Sequence, residues 1–319
     1  MQYGKARVML LKRKQKMNST VINTDRLFYD YAKGVNTLAN INLQVKRGDI
    51  YGFLGPNGSG KTTTLSLVLG LLKNQQGTIE VLGKDLQHNR QEVLRKVGSL
   101  IESPSLYNHL TAQENLRVYR EIYHASKARV EEVLKLVGLN DTAKKTVKQF
   151  SLGMKQRLSL ALALLPNPEL LIMDEPTNGL DPAGILELRS LIKKLNKEEG
   201  ITFLISSHIL SEVEKMVNQI GIIFKGRMRF QGSLDDLHQL QQKGSLVQLD
   251  TSDNLRAWAV LKQFKAELLV DDLVVPYKDI QQVAAINRIL VNNDLDVYNL
   301  HPHKQTLETI FMNLTTDSI

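Results

Sequence analysis

Two short runs of residues could carry phosphate chemistry. Gly55-Pro56-Asn57-Gly58-Ser59-Gly60-Lys61-Thr62 fits the pattern G-x-x-x-x-G-K-[ST] and lies between an apolar strand-like run and a helix-like stretch. Its glycines let backbone N–H groups turn inward around a phosphate at the positive end of the following helix. Lys61 then reaches the β- and γ-phosphates, the Thr62 hydroxyl can ligate Mg²⁺, and Thr63 extends the same nucleotide-binding run. The second run is Leu170-Leu171-Ile172-Met173 followed by Asp174-Glu175, a buried strand delivering two adjacent carboxylates to its C-terminal edge. Ligands bind at that edge in parallel sheets. Mg²⁺ takes hard oxygen ligands and only one or two carboxylates, which suits Asp174. Glu175, one residue on and facing another way, suits a general base that polarises water.

Such residues need a scaffold, and the hydropathy pattern describes one. Short apolar runs alternate with amphipathic stretches, the habit of an α/β domain with a mostly parallel sheet. The pattern predicts strands at Asp49–Leu54, Gly77–Leu82, Leu170–Met173, Ile201–Ile205 and Gln219–Phe224. It predicts helices at Gly60–Leu72, Thr111–His124, Lys127–Val137, Ser151–Leu165, Pro182–Lys197 and Leu210–Val217. In Lys127–Val137 the apolar residues Val130, Val133, Leu134 and Val137 share one helical face. About 102–165 is helical without strand patterning, so it reads as an insert. After Gly232 the pattern predicts strands at Leu246–Leu249, Ala266–Val275 and Asp294–Leu300, with helices at Asn254–Phe264, Lys278–Val291 and Thr306–Leu314. The expected fold is therefore an α/β core that carries this P-loop, with a mostly parallel sheet and a helical insert; the family resemblance described below implies an α/β P-loop ATPase core over 20–235. A small C-terminal α+β domain follows over 245–319, beyond the charged, Gln-rich link Leu237–Gly244.

Composition excludes several classes. The 319 residues contain no cysteine, which removes thiolate catalysis and Cys-based zinc sites. Apolar residues at 42% and charged residues at 23% argue against disorder and fibrous repeats. No apolar run approaches the roughly 20 residues needed to span a bilayer, and Val8–Leu11 is too short for a signal-peptide core. The formal charge of +8 resembles a nucleic-acid signature, yet residues 1–16 supply six bases and no acid. The rest is close to balanced, 35 bases against 33 acids. Residues 1–19 therefore form a separate basic arm, read as a leader, an early start before Met17, or a membrane-surface or RNA-binding arm.

Further residues bring a family into view. Phe150-Ser151-Leu152-Gly153-Met154-Lys155-Gln156-Arg157 is similar to the LSGGQ signature of ABC transporter ATP-binding subunits, with Leu152 for the first Gly and Met154 for the Gln. Ser151 opens a helix, so its hydroxyl and the free N–H groups make a second anion site. Asn178-Gly179-Leu180-Asp181 resembles the family's D-loop, and Ser206-Ser207-His208 resembles its switch histidine, which contacts the γ-phosphate and orients water. Tyr31 resembles the adenine-stacking aromatic, with Tyr29 and Phe28 as rivals. The family places a Gln where the insert begins, and here that position is Glu102. A carboxylate there could still bind Mg²⁺ while adding negative charge beside a triphosphate. Glu102-Ser103-Pro104, Tyr107, Leu110-Thr111 and Leu307-Glu308-Thr309-Ile310-Phe311 resemble the bacitracin-resistance and lantibiotic-immunity branch. The likeness covers about residues 20–235.

The resemblance implies an ATPase using ATP and Mg²⁺, with catalytic Glu175 and His208. Nucleotide would be held by Tyr31, Gly55 through Thr63, Glu102, Ser151, Gly153 and Asp181, and metal by Thr62, Asp174 and Glu102. Two copies would close head to tail, Ser151 and Gly153 gripping the γ-phosphate held by the partner's P-loop. Closure would move a separate transmembrane permease, placing the chain in the cytoplasm against the inner face of the membrane. Peptide antibiotics are the implied cargo, with other drugs or lipids open. The alternative is an ABC-type ATPase acting on nucleic acid or ribosomes. Those chains add long coiled coils or a second ATPase core, which this sequence does not show, and no nucleic-acid partner is expected.

Overall fold

The computed structural model describes residues 19–32, 37–101, 106–142, 145–269 and 272–316. The basic run 1–16 and Glu102 lie outside the described residues. The chain divides into two compact units, the first ending at Gln231 and the second beginning at Gly232.

The first unit holds strands β1 (Thr20–Tyr29), β2 (Leu38–Ile41), β3 (Gln44–Lys46), β4 (Ile50–Leu54), β5 (Gln76–Val81), β6 (Lys84–Asp85), β7 (Val97–Leu100), β8 (Leu170–Asp174), β9 (Thr202–Ser207), β10 (Gln219–Phe224) and β11 (Arg227–Ser233). Its helices are α1 (Lys61–Val68), α2 (Leu86–Leu94), α3 (Ala112–Tyr123), α4 (Lys127–Leu136), α5 (Leu152–Leu164), α6 (Pro182–Glu199) and α7 (Leu210–Val213). One sheet runs β11-β10-β4-β9-β8-β7, with β10, β4, β9, β8 and β7 in parallel. Every residue of β4 and of β9 is buried, and so are the first four of β8. Strands covered on both faces read as unbroken apolar runs, which is why the sequence shows them plainly. The second sheet, β1, β2, β3, β5 and β6, is antiparallel. Its buried residues Ile22, Leu27, Val45 and Val81 join Phe53, Leu65 and Leu204 in a single core.

Several elements differ from expectation. The run Ile41–Val45 is divided between β2 and β3: the Thr24 hydroxyl donates to Ile41 O (2.9 Å) and accepts from Leu43 N (2.8 Å), taking the place of ladder bonds. Helix α2 was not expected, because it is polar apart from Leu86, Val93 and Leu94; its sign is Asp85, whose carboxylate accepts the His88 N–H at 3.0 Å. Strand β11 was missed for a similar reason, being only half-buried. Lys225 (φ 47°) and Gly226 (φ 68°) join it to β10, and two successive left-handed residues are the mark of a tight hairpin. Helix α7 stops at Val213, short of Val217.

The insert contains α3, α4 and α5. Helix α3 opens with a capping box in which Thr111 and Glu114 bond each other's backbone N–H groups. Helix α5 presses on β7 so closely that a Cβ on Gly98 would stand 2.3 Å from Ala163 O.

The second unit comprises α8 (Leu234–Lys243), β12 (Leu246–Thr251), α9 (Asn254–Val260), β13 (Glu267–Leu268), β14 (Leu273–Pro276), α10 (Ile280–Asn292), β15 (Val297–His303) and α11 (Leu307–Leu314). Its antiparallel sheet is ordered β13-β14-β12-β15. Val247, Leu249, Leu273 and Val275 pack with Ala257 of α9 and with Ile286 and Leu290 of α10. The segment expected as a link is helix α8 of this unit, with Ser233 and Asp236 in a capping box and Leu237 fully buried. The strand expected at Ala266–Val275 is instead the pair β13 and β14, which bond each other antiparallel. No helix among the described residues is long and apolar enough to cross a membrane.

Candidate active site

The loop between β4 and α1 is shaped by two glycines with positive φ, Gly58 at 77° and Gly60 at 105°. Side chains rarely adopt that region, so the loop can curl tightly only with glycine there. Gly60 caps α1 without a side-chain hydrogen bond, and Thr64 is the first residue of α1 whose N–H finds a carbonyl of the preceding turn, Gly60 O at 2.9 Å. The first amides of the helix are therefore free to bind an anion. A Cβ on Gly55 would stand 2.3 Å from Ile223 O and 2.5 Å from Ser59 Oγ, so only glycine fits. Ser59 Oγ is buried and lacks a hydrogen-bond partner, as suits a group reserved for a phosphate oxygen. Ser59 is also tied to the β10–β11 turn, its carbonyl accepting from Gly226 N at 3.0 Å.

Lys61 is buried, with 6% of its side chain exposed. Its Nζ donates to Gly55 O at 2.7 Å and Pro56 O at 3.3 Å and stands 3.3 Å from Glu175 Oε1. That last approach lacks hydrogen-bond alignment, so Oε1 has a charge partner but no hydrogen bond. The other oxygen, Glu175 Oε2, meets His208 Nδ1 at 2.9 Å. Thr62 Oγ1 donates to Asp174 Oδ2 at 2.7 Å, and Ser206 Oγ donates to Asp174 Oδ1. The same Ser206 Oγ accepts the Glu175 N–H at 2.9 Å. Glu175 itself has φ of 46°, an uncommon backbone for a long side chain.

The structure thus brings Lys61, Thr62, Asp174, Glu175 and His208 into one contact network at the C-terminal edges of β4, β8 and β9. Tyr31 reaches it through Thr63, their hydroxyls 3.3 Å apart. Tyr31 is 64% exposed and stacks edge-on against Tyr29, whose ring packs partly on the core. Of the three rival aromatics, Tyr31 therefore presents the most open ring.

Ser151, Gly153 and Asp181 form a second group, and among the described residues no hydrogen bond or ion pair joins them to the first. Ser151 caps α5, accepting the Met154 N–H at 3.2 Å, and Asp181 caps α6, accepting from Gly184 N at 2.8 Å. A Cβ on Gly153 would touch only Leu180 Cδ2, at 4.0 Å, so this face of the helix start is open. Two contacts that sequence reasoning missed tie the signature helix to the chain after Glu175. Gln156 Nε2 donates to Pro176 O at 2.9 Å, and the Leu152 side chain lies over Gly179, where a Cβ would come 3.0 Å from Leu152 Cδ2. Nothing in the local pattern announces either, although Gln156 falls in the quoted signature run.

The donors suit the groups expected. Lys61, bare Ser59 Oγ and free helix amides are a phosphate set, and Thr62 with Asp174 is a hard-oxygen pair of the kind Mg²⁺ prefers.

Comparison with known proteins agrees. Residues 38–178 match the ABC transporter family. The bacitracin transport ATP-binding protein of Bacillus licheniformis is 44% identical over 303 residues, 93% of this chain and 97% of that protein. The lantibiotic transport ATP-binding protein of Streptococcus pyogenes is 44% identical over 64% of this chain and 88% of its own length. Among solved structures, the CbiO1 part of a Clostridium perfringens ABC transporter complex superposes with a TM-score of 0.64 at 27% identity, covering 70% of this chain and 92% of its own. A dimeric ATP-binding cassette bound to ADP and Pi in a post-hydrolysis state gives 0.59 at 27% identity, over 67% and 98%. The chain belongs to the ABC transporter family, as an ATP-binding and ATP-hydrolysing subunit.

Proposed function

We propose that this ATPase powers export of a peptide antibiotic, another drug or a lipid through a separate transmembrane permease. Full-length likeness to a bacitracin transport protein, second unit included, supports that cargo class. The relatives give the nucleic-acid alternative nothing to stand on. In this reading the chain sits at the inner face of the membrane through its permease, and two copies close head to tail on two ATP.

The observation that carries the catalytic reading is the division of labour at Glu175. Oε2 is held by His208, while Oε1 has a free acceptor site facing Lys61. Glu175 Oε1 accepts a proton from water as that water's oxygen bonds to the γ-phosphorus and the bond to the β-phosphate oxygen breaks, leaving ADP and phosphate. Lys61 and the α1 amides hold the phosphates, Tyr31 stacks on adenine, and Ser151, Gly153 and Asp181 serve the partner's nucleotide. Thr62 and Asp174 would hold Mg²⁺, which when bound draws charge from the β- and γ-phosphate oxygens. Glu102 would serve the same Mg²⁺ and coupling to the permease.

Co-expression with a membrane protein encoded beside it, in cells challenged with bacitracin-like peptides, tests the cargo. Resistance that disappears with Lys61→Ala supports export, and resistance unaffected by that change refutes it. Glu102→Gln is expected to change ATPase activity or resistance; leaving both unchanged would dismiss its role in coupling.

A further inference from the structure

Ser206 is fully buried, yet its hydroxyl faces the two residues assigned to metal and water. In a regular parallel ladder the residue after Asp174 would continue β8, pairing beyond the last register pair, Asp174 with Ser206. The chain instead leaves the strand there. Glu175 takes a left-handed backbone, and its N–H goes to Ser206 Oγ at 2.9 Å. A hydroxyl has one proton to give and lone pairs to accept with. Ser206 gives its proton to Asp174 Oδ1 and accepts from Glu175 N, so both capacities are used on consecutive residues.

We propose that Ser206 is a positioning residue for ATP hydrolysis, clamping the Asp174 carboxylate and the Glu175 amide so that the adjacent acids face different partners. The clamp leaves Asp174 Oδ2 for Thr62, at 2.7 Å. It also holds the left-handed turn that sends the Glu175 carboxylate to His208, at 2.9 Å, and Lys61, at 3.3 Å. Without the hydroxyl the Glu175 N–H loses its partner, and Asp174 Oδ1 is free to swing. Ser206 touches no substrate in this scheme and acts only through its two neighbours across the β8–β9 pair. The neighbouring hydroxyl cannot substitute, because Ser207 Oγ accepts from Ile209 N at 3.0 Å. The inference rests on the proposed roles of Asp174 and Glu175.

The decisive comparison is Ser206→Thr against Ser206→Val in the full-length chain, since the two side chains share a shape and differ in the hydroxyl. Steady-state ATPase rates, ATP affinity without Mg²⁺, the Mg²⁺ concentration for half-maximal rate and the melting temperature are measured for each. A misplaced catalytic group costs up to about 10²-fold. Ser206→Val is expected to lose roughly 10- to 10²-fold in kcat relative to Ser206→Thr and to need more Mg²⁺. Mg²⁺-free ATP affinity should match within about twofold, because the Ser206 hydroxyl bonds only Asp174 and Glu175 and none of the groups that hold phosphate. Equal kcat for the two variants overturns the proposal, as does a kcat loss matched by an equal loss of Mg²⁺-free affinity. Should the valine variant not fold, Ser206→Ala takes its place against the threonine. Asp174→Asn and Glu175→Gln, run alongside, separate the two levels of failure. If they retain turnover, the site assignment itself falls; if they lose it while the Ser206 pair is indifferent, only the clamp does.

Discussion

Replacing Glu175 with Gln keeps the side chain's size and removes its charge, which tests the ion pair and the chemistry together. At 3.3 Å the pair with Lys61 is worth about 5 kcal/mol of gross attraction at an effective dielectric of about 20. Removing one partner of a buried pair commonly costs about 3–5 kcal/mol. Here Lys61 keeps its bonds to the Gly55 and Pro56 carbonyls, so we expect a smaller loss, about 2 kcal/mol. That lowers the melting temperature of the ATPase unit by roughly 4–8 °C without nucleotide. With MgATP the sign reverses. Both proteins gain about 2.7 kcal/mol from ligand at 100 times its Kd, but in the variant Lys61 no longer divides itself between a carboxylate and a phosphate, and the bound ATP is not turned over. The variant should then outlast the wild type and accumulate as an ATP-bound dimer in size-exclusion chromatography. Its turnover should fall about 10²–10⁴-fold. Wild-type turnover would refute the base assignment, and an unchanged nucleotide-free melting temperature would refute the ion pair.

Lys61→Ala removes the cationic donor from the phosphate loop, and binding of a fluorescent ATP analogue should weaken about 10- to 10²-fold, the equivalent of one charged hydrogen bond. Gly98→Ala drives a methyl into Ala163 O and should cost about 1–3 kcal/mol, seen as a lower melting temperature; no change would mean that α5 can move away from β7 freely. Glu169 is pushed up by partial burial, but hydrogen bonds from Lys96 and Arg47 outweigh that and hold its pKa below the ordinary value. A depressed carboxylate stabilises the fold above its unfolded pKa and loses that contribution as pH falls through the lower folded value. Glu169→Gln should therefore flatten the acid limb of the stability–pH curve and leave the slope above pH 6 alone. Asp49 has the opposite sign: desolvation raises its pKa, so Asp49→Asn should gain stability relative to wild type as pH rises from the ordinary aspartate pKa through the raised folded value, and hold that gain above it.

The sequence was most legible where chemistry is written in consecutive residues. Gly55 to Thr62 is a local pattern, and the apolar runs into Asp174 and Ser206 are strands whose burial on both faces leaves little choice of conformation. The phosphate loop, the acid pair and the histidine after β9 could therefore be picked out as candidates from the sequence. What could not be named is how they are held. The Ser206 bridge, the Glu175 turn and the Gln156–Pro176 bond depend on contacts that only the pairing of β8 with β9 and the approach of α5 to the chain after β8 bring together. Among elements, α2 and β11 escaped because most of their residues are polar or half-exposed, leaving only Asp85 and the Lys225-Gly226 turn as signs. The split between β2 and β3 depends on Thr24, seventeen residues before Ile41, which no window of adjacent residues includes.

The contact of Leu152 with Gly179 has a consequence for how such sequences diverge. The φ of 75° at Gly179 would tolerate asparagine better than other side chains, yet any Cβ there meets Leu152 Cδ2 at 3.0 Å. The two positions are therefore coupled rather than independent: a side chain at 179 asks the half-exposed Leu152 to turn its Cδ2 aside by a few tenths of an ångström. A smaller residue at 152 removes that adjustment and leaves only the backbone strain of the positive φ to oppose change at 179.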